Sequence, residues 1–434
     1  MMPRDTVVTF PDRTNRLRAA ASSLRRKGTE SKVLSGGIIM LLATTLVSAL
    51  NFAYNVVMAR MLGPSRFGHV TASVTLLMLA SAVTLAFQLV CAKFVARNRA
   101  AGAKAGVYRS LRGKAWLVSL ALGGALVLAQ KPMANYLRFP DPHVLVVLAV
   151  GLATYVPLGV RRGAMQGLYS FRRLSGSFIV EALTRFVTGV VLVLAGYGVF
   201  GAVGAISASV LAAYFFPPLG KELKAQTESG DPASFDEGIQ AIVFFIGQVI
   251  ICNVDVLLVK HFFAPEIAGL YAAVALVGRL LYFASWSVVS AMFPVSAAQP
   301  QEENRHVTFV PLLAVVALSG LFILALSLFP HLIIHTVFGV EFHQGESLLP
   351  LYAAATGLYS LSVVLIAYEM SRRIAITGWL QLIFSGVLVL GIGLFHNTLR
   401  EVIVVQITLM SVLLLLVSFP FLRRRRLPLH QEAV

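Results

Sequence analysis

Glu181 and Arg185 stand four residues apart in one apolar run, Asp255 and Arg279 lie midway along two others, and Glu369 sits near the end of another. Hydrocarbon penalises such groups unless they meet a partner or face a water-filled cavity. Glu181 and Arg185 share a helical face, so they form an intrahelical ion pair or leave Arg185 turned to a cavity. Arg279 offers a planar fork of donors suited to phosphate oxygens. Asp255, on the preceding run, either neutralises Arg279 or binds a coupling proton or sodium ion. Arg279 and Arg185 are thus the candidates to hold an anionic substrate, and Asp255 is the coupling-ion candidate. Glu369, three residues before Arg372, reads as half of a solvated pair at a helix end. Asn51, Asn55, Gln248 and Asn253 place amides on the first and seventh runs, where they either line a cleft or join helices. Asn55 and Asn253 are carried as substrate contacts. Arg60, closing the first run, either snorkels to the interface or meets substrate.

The elements that must position these groups are themselves apolar. The 434 residues are 57% hydrophobic and only 13% charged, with a mean hydropathy of +0.80, whereas a soluble domain carries about 25% charged residues. The chain therefore belongs in a bilayer. Apolar runs fall at 35–59, 68–92, 115–130, 143–166, 175–195, 199–219, 238–260, 266–293, 309–336, 347–370, 374–395 and 400–422. They are near-continuous, not alternating, which predicts an all-α integral membrane protein and excludes a β-barrel. With a cytoplasmic N-terminus, most Lys and Arg fall in the tails and the even-numbered connections, including Lys93 to Lys114, Arg161, Arg162, Arg172 and Arg173. The odd connections hold only Arg60, Arg66, Lys131, Arg138, Lys260 and Arg400. That asymmetry places both termini inside. It also accounts for the net charge of +17, and leaves no case for nucleic acid as a partner. The basic tails, 1–34 and 423–434, suit an anionic lipid surface; an Arg-rich start also resembles a transit peptide, but acidic residues are present. The polar stretch 220–237 reads as a linker between equal blocks, 35–219 and 238–422, each of six helices. Six is even, so the blocks are predicted to be two six-helix lobes in a parallel repeat, twelve transmembrane helices in all.

No P-loop, H-E-x-x-H, G-x-S-x-G or His/Cys cluster of metal-ligand spacing occurs in the sequence. The expectation is a protein with no catalytic residues, metal or cofactor, driven by an ion gradient, by a partner, or by no energy source. Cys91 and Cys252 sit singly in apolar runs and form no disulfide framework. His331, His335 and His343 cluster at the outer end of the ninth run and read as interface histidines. The aromatics Tyr54, Tyr155, Tyr214, Tyr271, Tyr282 and Trp286 either stack on a ligand, which the resemblance given below implies would be a sugar, or pack in helices and interface belts.

Tyr54–Gly68 reads as helix, Gly-Pro turn and helix, and the pattern returns as Asn253–Gly269 with Ala264-Pro265 at the turn. Ala59-Arg60-Met61-Leu62-Gly63-Pro64-Ser65-Arg66-Phe67-Gly68 resembles the A-R-x-L-G-P-x-x-F-G signature of polysaccharide-transport proteins. The segment from Arg162 through Gln166-Gly167 to Phe171-Arg172 is similar to that family's Q-G-x-x-x-F segment. Asn253-Val254-Asp255 and Gly269-Leu270-Tyr271 resemble its second-half counterpart. These are proteins of the multidrug/oligosaccharidyl-lipid/polysaccharide exporter superfamily, O-antigen flippases among them. The resemblance implies a V-shaped pair of bundles in a bacterial inner membrane. It further implies a polyprenyl-pyrophosphate-linked saccharide as substrate, moved outward by alternating access, and polysaccharide assembly proteins as partners. In the second half Lys260-His261-Phe262-Phe263-Ala264-Pro265 departs from the signature. The turn is therefore not expected to recognise substrate: Gly63→Ala should behave normally where Arg279→Ala loses transport. Three rivals remain: a non-transporting scaffold, a sodium- or proton-coupled multidrug exporter, and a membrane polysaccharide polymerase or ligase. The last would carry a large outer loop, but the largest here, around Lys131–His143, is short.

Overall fold

The computed structural model describes residues 13–216, 239–298, 305–371 and 376–424, with Pro218, Gly220 and Leu223 between the first two segments. Nearly all of the linker 220–237, together with Arg372, Arg373 and the tail beyond Arg424, lies outside the described residues. Every described element is helical: α1 (Arg13–Arg97), α2 (Ala101–Leu128), α3 (Gln130–Tyr136), α4 (His143–Gly167), α5 (Phe171–Leu192), α6 (Gly198–Phe215), α7 (Ile239–Phe262), α8 (Pro265–Ala298), α9 (Arg305–Leu328), α10 (Pro330–Val337), α11 (Leu349–Ser371), α12 (Ile376–Leu394) and α13 (Leu399–Arg424). Nine apolar stretches among the described residues are long enough to span a bilayer. Two of them, Ile39–Arg97 and Phe171–Phe215, are 59 and 45 residues long, and at ~1.5 Å per residue each exceeds a ~30 Å hydrocarbon core twice over. Both bend at glycines in the left-handed region: Gly63 (φ 71°) in the first, Gly196 (φ 91°) and Gly198 (φ 49°) in the second. Counting each as two, with the shorter Gly378–Leu394, there are twelve spans.

Side-chain registers show that α1 reverses at Gly63. Its first arm runs parallel to α5: Gly36 meets Phe171, Ser175 bonds Met40, Arg185 bonds Asn51 and Gly189 meets Tyr54. Its second arm runs parallel to α4, with Gly159 on Thr84, Gly163 on Gln88 and Gly167 on Ala92. Because α4 and α5 are joined by the short turn 168–170 and paired side by side, the two arms are antiparallel. Pro64, unable to donate and clashing one turn back, makes Gly63 the natural break. The second half repeats the scheme. As the first arm of α1 packs on α5, α7 packs on α12; the second arm on α4 is matched by α8 on α11; α2 on α4 by α9 on α11; and α4 on α6 by α11 on α13.

Several sequence boundaries need correction. The third span begins at Ala101, so Lys104, Arg109, Arg112 and Lys114 ride on α2 and not in a connection. Arg161 and Arg162 are buried in the last turns of α4, not in a solvated loop. The ninth run breaks before Pro330, leaving α10 as a separate short helix, as α3 is in the first half. Lys260, assigned to an outer connection, is 1% exposed at the end of α7. Glu369 is buried as well, so it is not a solvated surface residue.

The halves meet at the end of the molecule that carries the two hairpins. There Gly269 lies against the Pro64 carbonyl so closely that a Cβ would overlap it, and Gly68 lies 3.2 Å from the Pro265 carbonyl by the same measure. Arg60 donates to the carbonyls of Thr336 and, at 2.8 Å, Val337 at the end of α10. His261 donates to the Tyr136 carbonyl at the end of α3 (2.7 Å) and stacks on the Tyr136 ring. Gly68 to Gly269, Pro64 to Pro265, Arg60 to His261 and Tyr136 to Val337 are equal steps along the chain, so the contacts are pairs related by a two-fold axis along the bundle. Each basic side chain caps the exposed carbonyls of the opposite half's short helix. Arg138 adds a bond to the Phe263 carbonyl (3.1 Å). One apolar core runs through both halves at this end, including Met58, Phe67, Ala268, Tyr271 and Phe342. At the opposite end the first half has a core of its own, with Phe87, Phe94, Tyr108, Leu111 and Val160 among its buried members. Outside the bundle at the hairpin end, Asp141 accepts from the backbone N–H of His143 (2.8 Å), which together with the His143 ring holds its carboxyl below the usual carboxylate range.

Candidate functional site

Each half contains a buried ion network between the helix that begins the half and its neighbours. In the first half Glu181 bridges two arginines: one oxygen takes Arg162 of α4 at 2.7 Å, the other Arg185 of its own helix at 2.6 Å. Four-residue spacing on α5 puts Glu181 and Arg185 on one face, and the α4–α5 turn brings Arg162 alongside. Arg162 is held further by the Ser177 hydroxyl (3.1 Å), the Ser177 carbonyl (3.2 Å) and the Phe178 ring, 3.9 Å below it. Arg185 reaches Asn51 of α1 (3.2 Å) and Ser209 of α6 (3.4 Å). Two guanidinium ions on one carboxylate leave one positive charge uncompensated within the span. Arg185 is thus buried and paired with Glu181, the first of its two sequence alternatives, and it also bonds Asn51 on α1, the helix that packs on the other half.

In the second half Asp255 receives Arg279 at 3.0 Å, the Tyr352 hydroxyl at 2.8 Å and the Tyr271 hydroxyl at 2.9 Å, and Gln406 donates to Tyr271 at 2.6 Å. This ties α7, α8, α11 and α13 together. Arg279 also reaches Asn253 (3.5 Å); its Nε is buried with no hydrogen-bond partner among the described residues, and the residue borders a cavity of about 40 Å³ lined by Cys252, Tyr282, Thr356 and Tyr359. The Tyr282 hydroxyl beside it is also buried with no hydrogen-bond partner among the described residues, and the Tyr359 hydroxyl lies against the Cys252 thiol. Here the charges balance one to one.

The remaining sequence candidates fall in different places. Asn55 and Asn253 each donate to a carbonyl one turn back on their own helices, Asn51 and Val249. Asn253 joins the Arg279 network, and Asn55 stands beside Asn51 of the first. Arg60 is at the hairpin seam, away from both networks. Tyr54 and Tyr271 are buried in the core, Tyr54 donating to the Ala202 carbonyl, so neither ring is presented to a sugar. His331 and His335 form an exposed pair with Glu346 bonded to His331, and no group of three or more metal-type ligands occurs among the described residues. Sequence reading missed Arg162, Tyr352 and Gln406. Only the surplus of arginine over acid around the fourth and fifth runs hinted at the first of these, since partners 15 to 135 residues away carry no local signal.

Twelve spans in two matching halves, closed against each other at one end and holding ion networks beside their lead helices, define a multi-span membrane transporter fold. The chain belongs to the family described as polysaccharide biosynthesis protein, whose model matches residues 33–299. Among curated proteins no sequence relative matches the chain. The structure is similar to an inward-facing multidrug resistance MATE family transporter of the MOP superfamily (TM-score 0.73, 14% identity, 89% of this chain and 97% of that one). It is similar also to the lipid II flippase MurJ in an inward closed conformation (TM-score 0.72, 13% identity, 88% and 87%). An outward-facing MATE transporter superposes less well, at a TM-score of 0.58 with 15% identity over 91% of this chain and 95% of the other.

Proposed function

We propose that this protein is a flippase-like transporter that carries a polyprenyl-pyrophosphate-linked oligosaccharide or polysaccharide precursor across the membrane by alternating access of its two lobes, 35–219 and 238–422. The observation that carries this reading is the surplus cation of the first-half network: Arg162 and Arg185 share a single carboxylate, Glu181. In a low-dielectric wall an unbalanced positive charge draws an anion strongly, and a pyrophosphate headgroup supplies one in a form that guanidinium recognises. Arg185 is the primary headgroup contact, with Asn55 and Asn253 meeting sugar hydroxyls from the two lead helices. Arg279 contributes from the second half, where it borders the small cavity beside Tyr282. The lipid tail remains in the bilayer.

The distribution of basic residues supports a cytoplasmic placement of both termini. The hairpin seam is then a closed outer gate, and the opposite end is the entry side. A bacterial inner membrane, with polysaccharide assembly proteins receiving the product, fits that direction. The rival is a multidrug exporter of the same fold. Such a protein handling cations needs a carboxylate to spare, but Asp255 is taken up by Arg279, Tyr271 and Tyr352, and a coupling proton or sodium ion there would have to break that pair. Reconstituted liposomes test the choice. Time-dependent movement of a labelled polyprenyl-pyrophosphate saccharide between leaflets, lost in Arg185→Gln, is the expected result. Efflux of a fluorescent cation that stops in Asp255→Asn, without lipid movement, would overturn the reading.

A further inference from the structure

We infer that Glu181 is the residue that sets the anion affinity of this transporter, acting as a built-in carboxylate that occupies Arg185 until a substrate phosphate replaces it. The inference rests on the proposed function above and names the residue that tunes its headgroup site.

The two oxygens of Glu181 have different attachments. Oε2 is bonded to Arg162, and Arg162 is itself fixed by the Ser177 hydroxyl, the Ser177 carbonyl and the Phe178 ring. Oε1 is bonded to Arg185 on the same helix. The other partners of Arg185, Asn51 and Ser209, are neutral and longer, at 3.2 and 3.4 Å. An arriving anion therefore competes with one carboxylate oxygen, while Asn51 and Ser209 keep the guanidinium oriented. When Arg185 is taken over, Glu181 is not left as a stranded buried charge, because Arg162 retains it. That removes the main penalty of opening a buried ion pair, an uncompensated ion. The Glu181 and Arg185 side chains keep small exposed edges, 13% and 8%, so the exchange needs no unpacking of α5.

The stoichiometry makes the exchange useful for transport. With Glu181 in place the cluster carries one net positive charge. Without it the cluster would carry two and would hold a diphosphate too firmly to release it. A transported ligand must bind well enough to enter and weakly enough to leave. Asn51 lies on the first arm of α1, and α1 packs on α7 and α8 of the other half, so exchange at Arg185 also bears on the element that contacts the partner half.

The test uses the full-length protein in nanodiscs with farnesyl diphosphate as the anionic probe and farnesol as its neutral control. Relative to wild type, Glu181→Gln should bind farnesyl diphosphate about tenfold tighter and Arg162→Gln about tenfold weaker, with farnesol binding unchanged in both. In liposomes Glu181→Gln should translocate a polyprenyl-pyrophosphate saccharide more slowly despite tighter binding. A carboxylate serving only to hold α4 against α5 would instead weaken binding in both variants. Equal or weaker diphosphate binding by Glu181→Gln overturns the inference. Should that variant fail to fold, Glu181→Asp decides, since a shorter carboxylate cannot span both arginines: tighter diphosphate binding than wild type supports the inference, and equal or weaker binding overturns it. If wild type shows no preference for farnesyl diphosphate over farnesol and Arg185→Gln changes nothing, the proposed headgroup reading itself falls.

Discussion

Asp255 shows how a residue with two sequence readings is decided by its surroundings. It is almost fully buried, 2% exposed, and accepts from one arginine and two tyrosines. Removing the carboxylate would leave Arg279 as an uncompensated buried cation, at a cost of about 3–5 kcal/mol. Asp255→Ala should therefore lower the thermal unfolding temperature in detergent markedly. The double variant Asp255→Leu with Arg279→Met should recover much of that loss, because no lone charge remains. Recovery would mark the pair as a structural tie among α7, α8 and α11; its absence would mean that the tyrosine network needs the carboxylate itself. Arg185 differs in kind. Its network carries spare charge, so Arg185→Gln should abolish saccharide movement with a smaller effect on stability, since Glu181 keeps Arg162.

The hairpins matter as elements more than as motifs. The sequence reading expects Gly63→Ala to behave normally, but Gly63 has φ 71° and ψ 172°, a backbone region essentially reserved for glycine, and a side chain there costs about 1–3 kcal/mol. Gly63→Ala should thus be measurably destabilised. Gly269 has a different burden, the approach of the Pro64 carbonyl. Gly269→Ala should force the seam apart where Gly68→Ala, with its looser contact, disturbs it less. The paired caps, Arg60 on α10 and His261 on α3, close the same seam. Arg60→Ala combined with His261→Ala should shift the population toward an open hairpin end. Spin labels at the exposed positions Lys131 and His343, on a background lacking Cys91 and Cys252, would register a longer distance in these variants; an unchanged distribution would show that the glycine contact holds the seam alone.

For the whole molecule, the asymmetry between the halves is as informative as their symmetry. The packing scheme is repeated helix for helix, yet the first network carries spare positive charge and the second is neutral. Tyr54 and Asp255 hold equivalent places in the two lead helices, one bonded to a backbone carbonyl and the other to an arginine. An anionic headgroup should accordingly engage the first half. Liposomes offered the same glycan on a pyrophosphate-linked lipid and on an uncharged lipid should move the former at least about tenfold faster. Equal rates would place recognition on the sugar instead.

Composition and hydropathy by themselves determined that this chain lives in a bilayer and how many times it crosses, because hydrocarbon imposes length and polarity on each span independently of the others. The Gly63-Pro64 and Ala264-Pro265 hairpins were legible for the same reason, as turn chemistry is local. Arg161 and Arg162 were misplaced because a charge count treats an arginine near a helix end as solvated, whereas Glu181, Ser177 and Tyr214 pack around them. Only the tertiary structure decided that Asp255 is spent on Arg279, that Glu181 serves two arginines and that Gly68 and Gly269 face each other across the seam. Those facts depend on distances between residues far apart in the chain, and ion pairing and close packing act over ångströms, a range that one-dimensional spacing does not record.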